Sequence, residues 1–120
     1  MALTGTKFNE LSSGQYGSVY TTGSSERIKP PLNHIFAAIT FLDDTVLDAS
    51  GGLISEAPTK FINTETAAHD LAAGSETEVQ GTGGQVVDNV VFPKGITIFG
   101  RWTEIDVDSG KIIAYIAPKH

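Results

Sequence analysis

The sequence predicts a mainly β protein, a small antiparallel β-sandwich or barrel of jelly-roll type. It would carry a three-stranded meander at its C-terminal end and an extended arm at its N-terminal end. Three observations support this. Gly, Thr and Ser number 13, 13 and 9 among 120 residues, which suits many turns. Ile and Val outnumber Leu, at 11 and 8 against 7, and β-branched residues fit strands better than helices. The apolar runs are short and separated by Gly, Pro and Asp, as in a single core built from brief strands.

Along the chain, residues 1–33 read as the arm. Ser and Gly are frequent there, and Phe8, Leu11, Tyr16 and Tyr20 stand apart as apolar anchors without a sustained helical or strand period. Pro30 and Pro31 mark the boundary to a β domain over residues 34–120. Residues 34–42 form a dense apolar strand, closed by the turn formers Asp43 and Asp44. Val46 and Leu47 make a short return strand. Residues 48–52 are a second turn, and Leu53 and Ile54 resume. After Pro58, residues 59–63 predict one more short edge strand. Residues 64–85 predict an exposed loop, or a short helix over 64–73 followed by a loop. Gly74 would stop that helix, and Thr64 lacks the Glu three places on that a capping box wants.

The C-terminal third predicts the meander. Strands over residues 86–92, 96–107 and 111–117 would be joined by two matched hairpin turns. In the first, Pro93 presets φ and Gly95 takes the left-handed position; Asp108 and Gly110 repeat that logic. In the middle strand, unbroken alternation would send Ile96 and Ile98 to one face and Ile105 and Val107 to the other. A β-bulge near Gly100 would bring both pairs to one side. Trp102 and Tyr115 then belong to the core or to an interface.

Composition narrows the function. No cysteine is present, so disulfides, thiolate catalysis and Cys-ligated metals are excluded. The net charge is −6 and the eight basic residues are scattered, which argues against nucleic acid as a partner. No apolar run is long enough to span a membrane, and the N-terminus does not read as a signal peptide. The three histidines, His34, His69 and His120, do not form a triad pattern. His69 and Asp70 are chain neighbours that cannot face one another on one element. The carboxylate pairs Asp43 and Asp44, Glu76 and Glu78, and Asp106 and Asp108 read as turn residues and solvated strand faces. Residues 106–110 start like a calcium loop but lack its third Asp or Asn and its closing Glu. Gly81, Gly83 and Gly84 precede a strand pattern, not the helix a phosphate loop needs. The chain therefore reads as a non-enzyme without cofactor or metal.

Residues 91–103 together with residues 113–116 resemble small structural proteins of tailed bacteriophages, particularly of marine and cyanobacterial phages. The resemblance is strongest over residues 86–117 and fainter over 34–42, and it rests on a hairpin pattern. It implies a virion component made in the host cytoplasm, foremost a capsid cement or decoration protein that binds and stabilises the shell of the major capsid protein. Such proteins are often homo-oligomers, with a trimer favoured, and grip their neighbours with extended arms. Phe8, Leu11, Tyr16 and Tyr20 would then insert between shell subunits. The alternative is a tail or fibre component, or a receptor- or carbohydrate-binding module, which would display aromatic residues on one exposed face.

Overall fold

The computed structural model describes residues 16–23, 26–67 and 81–119. The fold is mainly β, as the sequence predicts. All regular elements among the described residues are strands, and they form one open antiparallel sheet of eight. In chain order these are β1 (Ser18–Thr22), β2 (Arg27–Ile28), β3 (His34–Phe41), β4 (Thr45–Leu47), β5 (Leu53–Ser55), β6 (Val91–Phe92), β7 (Thr97–Ser109) and β8 (Lys111–Pro118). The sheet runs β1-β8-β3-β7-β4-β6, and β2 and β5 also pair with β7.

The shape follows from β7. It begins with Thr97 opposite Thr40, near the C-terminal end of β3, and runs to Trp102 opposite Phe36. Only Gly110 separates it from β8, yet β8 also begins beside the C-terminal end of β3, with Ile112 opposite Phe41. A strand of 13 residues that starts and finishes at the same end of its neighbour must double back. Extra residues in the ladder supply the bend. Two residues of β7, Gly100 and Arg101, face the single Ala37 of β3, so the bulge expected at Gly100 is present. Thr103 is a further extra residue against β5, and Asp108 against β4. Gly100 is required there: a Cβ on it would lie 2.7 Å from the Trp102 ring.

The sheet thus folds over itself, and one apolar core fills the space between its halves. Phe36, Ile39, Phe41, Ile112, Ala114 and Ile116 come from the β8-β3 side. Leu47, Leu53, Ile105 and Val107 come from the other, with Trp102 between them. Phe41 and Phe92 stack with ring centroids 4.7 Å apart. Trp102 is fully buried, and its indole Nε1–H donates to the Ile62 carbonyl at 2.8 Å, which settles it in the core.

Several expectations are corrected. The C-terminal meander is not formed: β6 pairs with β4, and β8 pairs with β1 and β3. Gly95 and Gly110 do adopt positive φ, 93° and 108°, so the turns at Pro93–Gly95 and Asp108–Gly110 bend as expected without pairing the strands they join. Residues 59–63 are turn, not edge strand. The Lys60 and Phe61 amides donate to the Ala57 carbonyl, and buried Asn63 donates to the Pro58 and Phe61 carbonyls while its Oδ1 accepts from the amides of Glu65 and Thr66. An Asn that can satisfy four backbone groups outcompetes a ladder here. The strand expected over 86–92 shrinks to Val91–Phe92, because Asp88 and Asn89 form a turn. Tyr16 and Tyr20, assigned to an arm, sit just before and within β1, and Pro30 and Pro31 do not detach β1 and β2 from the sheet. Phe8, Leu11, His69, Glu76, Glu78 and His120 lie outside the described residues, as does most of the 64–85 segment.

Candidate interaction face

Alternation along the strands of the β1-β8-β3-β7 half gives it two faces. One is the core. On the other, the register lines up residues across four strands in rows. Tyr20, Ile113, Thr40 and Thr97 form one row. Ser18, Tyr115, Ala38 and Phe99 form the next. These eight residues include no charged side chain, in a chain of net charge −6. Phe99 is 73% exposed and Tyr20 58%. Tyr115 and Ile113 are half-buried between their strand neighbours.

Five of these eight residues carry hydroxyls, and two of the hydroxyls are paired. The hydroxyls of Thr40 and Thr97 hydrogen-bond each other at 2.8 Å across the β3–β7 ladder. Covering that pair leaves each hydroxyl one hydrogen bond, which lowers its desolvation cost. Lys111, opposite Thr22 on β8, stands at one end of the rows. Beyond the other end, the Arg101 guanidinium reaches from β7 to the Lys119 carbonyl after β8, and its Nε lies 3.0 Å from Glu56 Oε1. That cation is therefore tied down at the margin.

A second polar cluster lies on the folded-over half and is structural in character. Asp106, 5% exposed, places Oδ2 3.6 Å from Arg27 Nε, whereas its Oδ1 is buried without a hydrogen-bond partner. Glu104 lies 3.9 Å from Arg27 and 3.6 Å from Lys29. Burial, reinforced by the negative charge of Asp48, raises the Asp106 pKa, and Arg27 opposes part of that rise. These ion pairs fasten the two-residue β2 to β7. Among the described residues, no set of three His, Asp or Glu side chains is placed to hold a metal ion.

The other residues singled out by sequence fall as follows. Tyr16 packs against the core, its ring 6.4 Å from that of His34, whose Nδ1 lies 2.8 Å from the Leu32 carbonyl oxygen. Tyr20 and Tyr115, placed in different parts of the chain, are brought onto one face. Trp102 is not part of it. Sequence reasoning missed Phe99, Ile113 and the Thr40–Thr97 pair. A signal existed in β8, where residues 112–117 are apolar or aromatic without alternation. That pattern marks a strand apolar on both faces. No family model, curated protein or solved structure matches the chain.

Proposed function

We propose that this chain is a non-enzymatic structural protein of a phage particle, a homo-oligomer that binds and reinforces the capsid shell as a cement or decoration protein. The observation that carries the reading is the charge-free aromatic face on an otherwise acidic protein, because exposed apolar surface of this extent marks a place where protein packs on protein. The phage setting comes from the resemblance over residues 86–117. The test is quantitative mass spectrometry of purified particles from the phage that encodes the chain. Hundreds of copies per particle are expected for a site on the capsid lattice. A dozen or fewer would move the protein to tail or fibre, and absence from the particle would overturn the reading.

One observation favours the alternative of a carbohydrate-binding module: Tyr20, Tyr115 and Phe99 share a face, as a stacking platform for sugar rings requires. Against it, sugar recognition needs convergent polar groups beside the rings, and these rows hold no charged or amide side chain. A glycan array separates the two, since a shell protein gives no signal on it.

A further inference from the structure

We propose that the face formed by Tyr20, Ile113, Tyr115, Ala38, Thr40, Thr97 and Phe99 docks on the same face of a second copy, giving a two-fold pair of stacked sheets. The inference rests on the assembly reading above and names the surface by which copies associate. The chain carries −6, so two copies repel unless they meet where charge is absent, and these two rows contain none. An uncharged face, whose Thr40 and Thr97 hydroxyls bond each other and whose Tyr20 and Tyr115 hydroxyls can each donate as well as accept, is complementary to another of the same kind. It offers little to an ionic partner.

Size agrees. Four strands at about 4.8 Å spacing, two of them eight residues long, present roughly 500 Å² of flat area. Side chains standing off the sheet raise the accessible area above that, towards the roughly 600 Å² per partner at the lower end of specific interfaces. Antiparallel sheets stack face to face at about 10 Å with interleaved side chains. Phe99 and Tyr20, the exposed large side chains of the face, would be the ones to interleave. A surface that meets itself generates a closed pair, whereas a trimeric ring requires two different surfaces on each copy.

The experiment is light scattering and sedimentation equilibrium on the full chain, with Trp102 as an internal reporter of folding. It is the one tryptophan and lies in the core away from the face. Wild type should be a pair at about 100 µM, and Phe99→Asp should raise the dissociation constant at least about 100-fold while tryptophan emission stays that of a buried indole. Tyr20→Lys, which changes an edge strand only, is the second variant should Phe99→Asp fail to fold. Lys60→Glu, on a turn away from these rows, should leave the pair intact. A monomeric or trimeric wild type overturns the proposal. So does a folded Phe99→Asp or Tyr20→Lys variant that still pairs, or a monomer whose glycan binding is lost in Phe99→Asp. A chain that is abundant in particles yet monomeric refutes the pairing alone. A chain that pairs but is absent from particles refutes the particle reading alone.

Discussion

The two faces of the β1-β8-β3-β7 half are built from alternate residues of the same strands, and both carry large apolar or aromatic side chains. Phe36, Ile39, Phe41, Ile112, Ala114 and Ile116 are covered because β7 doubles back over them. Ile113, Phe99 and Tyr20 have the same chemistry and lie under no second half of the sheet. The difference between core and surface thus follows the direction of one bent strand as well as residue type. Five of the eight outer residues carry hydroxyls and none of those six core residues does, and the energetic roles of the two faces should separate cleanly on substitution.

The largest effect is expected at the hinge of that strand. Trp102→Ala should cost about 3–5 kcal/mol in chemical denaturation, from the cavity it leaves, with the Ile62 carbonyl losing its donor as well. A loss under about 1 kcal/mol would mean that Trp102 does not fill the core. Next is Gly110→Ala. A left-handed φ of 108° and overlap of the new Cβ with Thr45 Oγ1 should together cost roughly 2–3 kcal/mol, read as a lowered denaturation midpoint with an unchanged slope.

Asp106→Asn sharpens the comparison through pH. Its folded pKa is raised above the ordinary 3.8, so the native state holds that proton more tightly than the unfolded chain. The resulting stabilisation is complete below the unfolded pKa and is lost as pH rises through the folded pKa. Above that folded pKa the site holds a buried carboxylate with one oxygen near Arg27 and the other without a hydrogen-bond partner. Asp106→Asn should be neutral or stabilising at pH 7, by about 1 kcal/mol at most, and should lose that advantage near pH 3. Denaturation series at the two pH values check this, and an Asn variant markedly weaker at pH 7 would show that the Arg27 pair outweighs burial. The smallest effect belongs to the outer face. Phe99→Ser should alter monomer stability by no more than about 0.5 kcal/mol in dilute solution, since a residue 73% exposed leaves no cavity.

Much of this architecture was legible in the sequence, and the reasons for the exceptions are physical. The Ile- and Val-rich runs located β3, β4, β5, β7 and β8 to within a residue or two, because β-branched apolar runs bounded by Asp, Gly and Pro leave few alternatives. Gly100 announced its bulge, since a glycine inside a strand marks either a bend or a close approach, and here it marks both. Pairing was less legible. The turns at Gly95 and Gly110 have the expected local conformation, but local conformation does not choose a strand's partner. β8 pairs with two strands distant in the chain, β1 and β3, instead of with its chain neighbour. Of the face, Tyr20 and Tyr115 were noticed separately. Their meeting depends on the Ser18–Tyr115 and Tyr20–Ile113 register, which alternation within either segment alone does not encode.

That register has a consequence for how the molecule is made. β8 lies between β1 and β3, and Ser18 and Tyr115 pair although 97 residues separate them, counting from 18 to 115. A ribosome adding residues from the N-terminal end releases β1 and β3 long before the strand that joins them. This half of the sheet therefore closes only after synthesis has passed residue 116, and until then both strands offer open edges to any neighbour. Nascent chains stalled before residue 111 should fail to protect from hydrogen exchange the β3 amides that face β8, and chains extended through residue 118 should protect them.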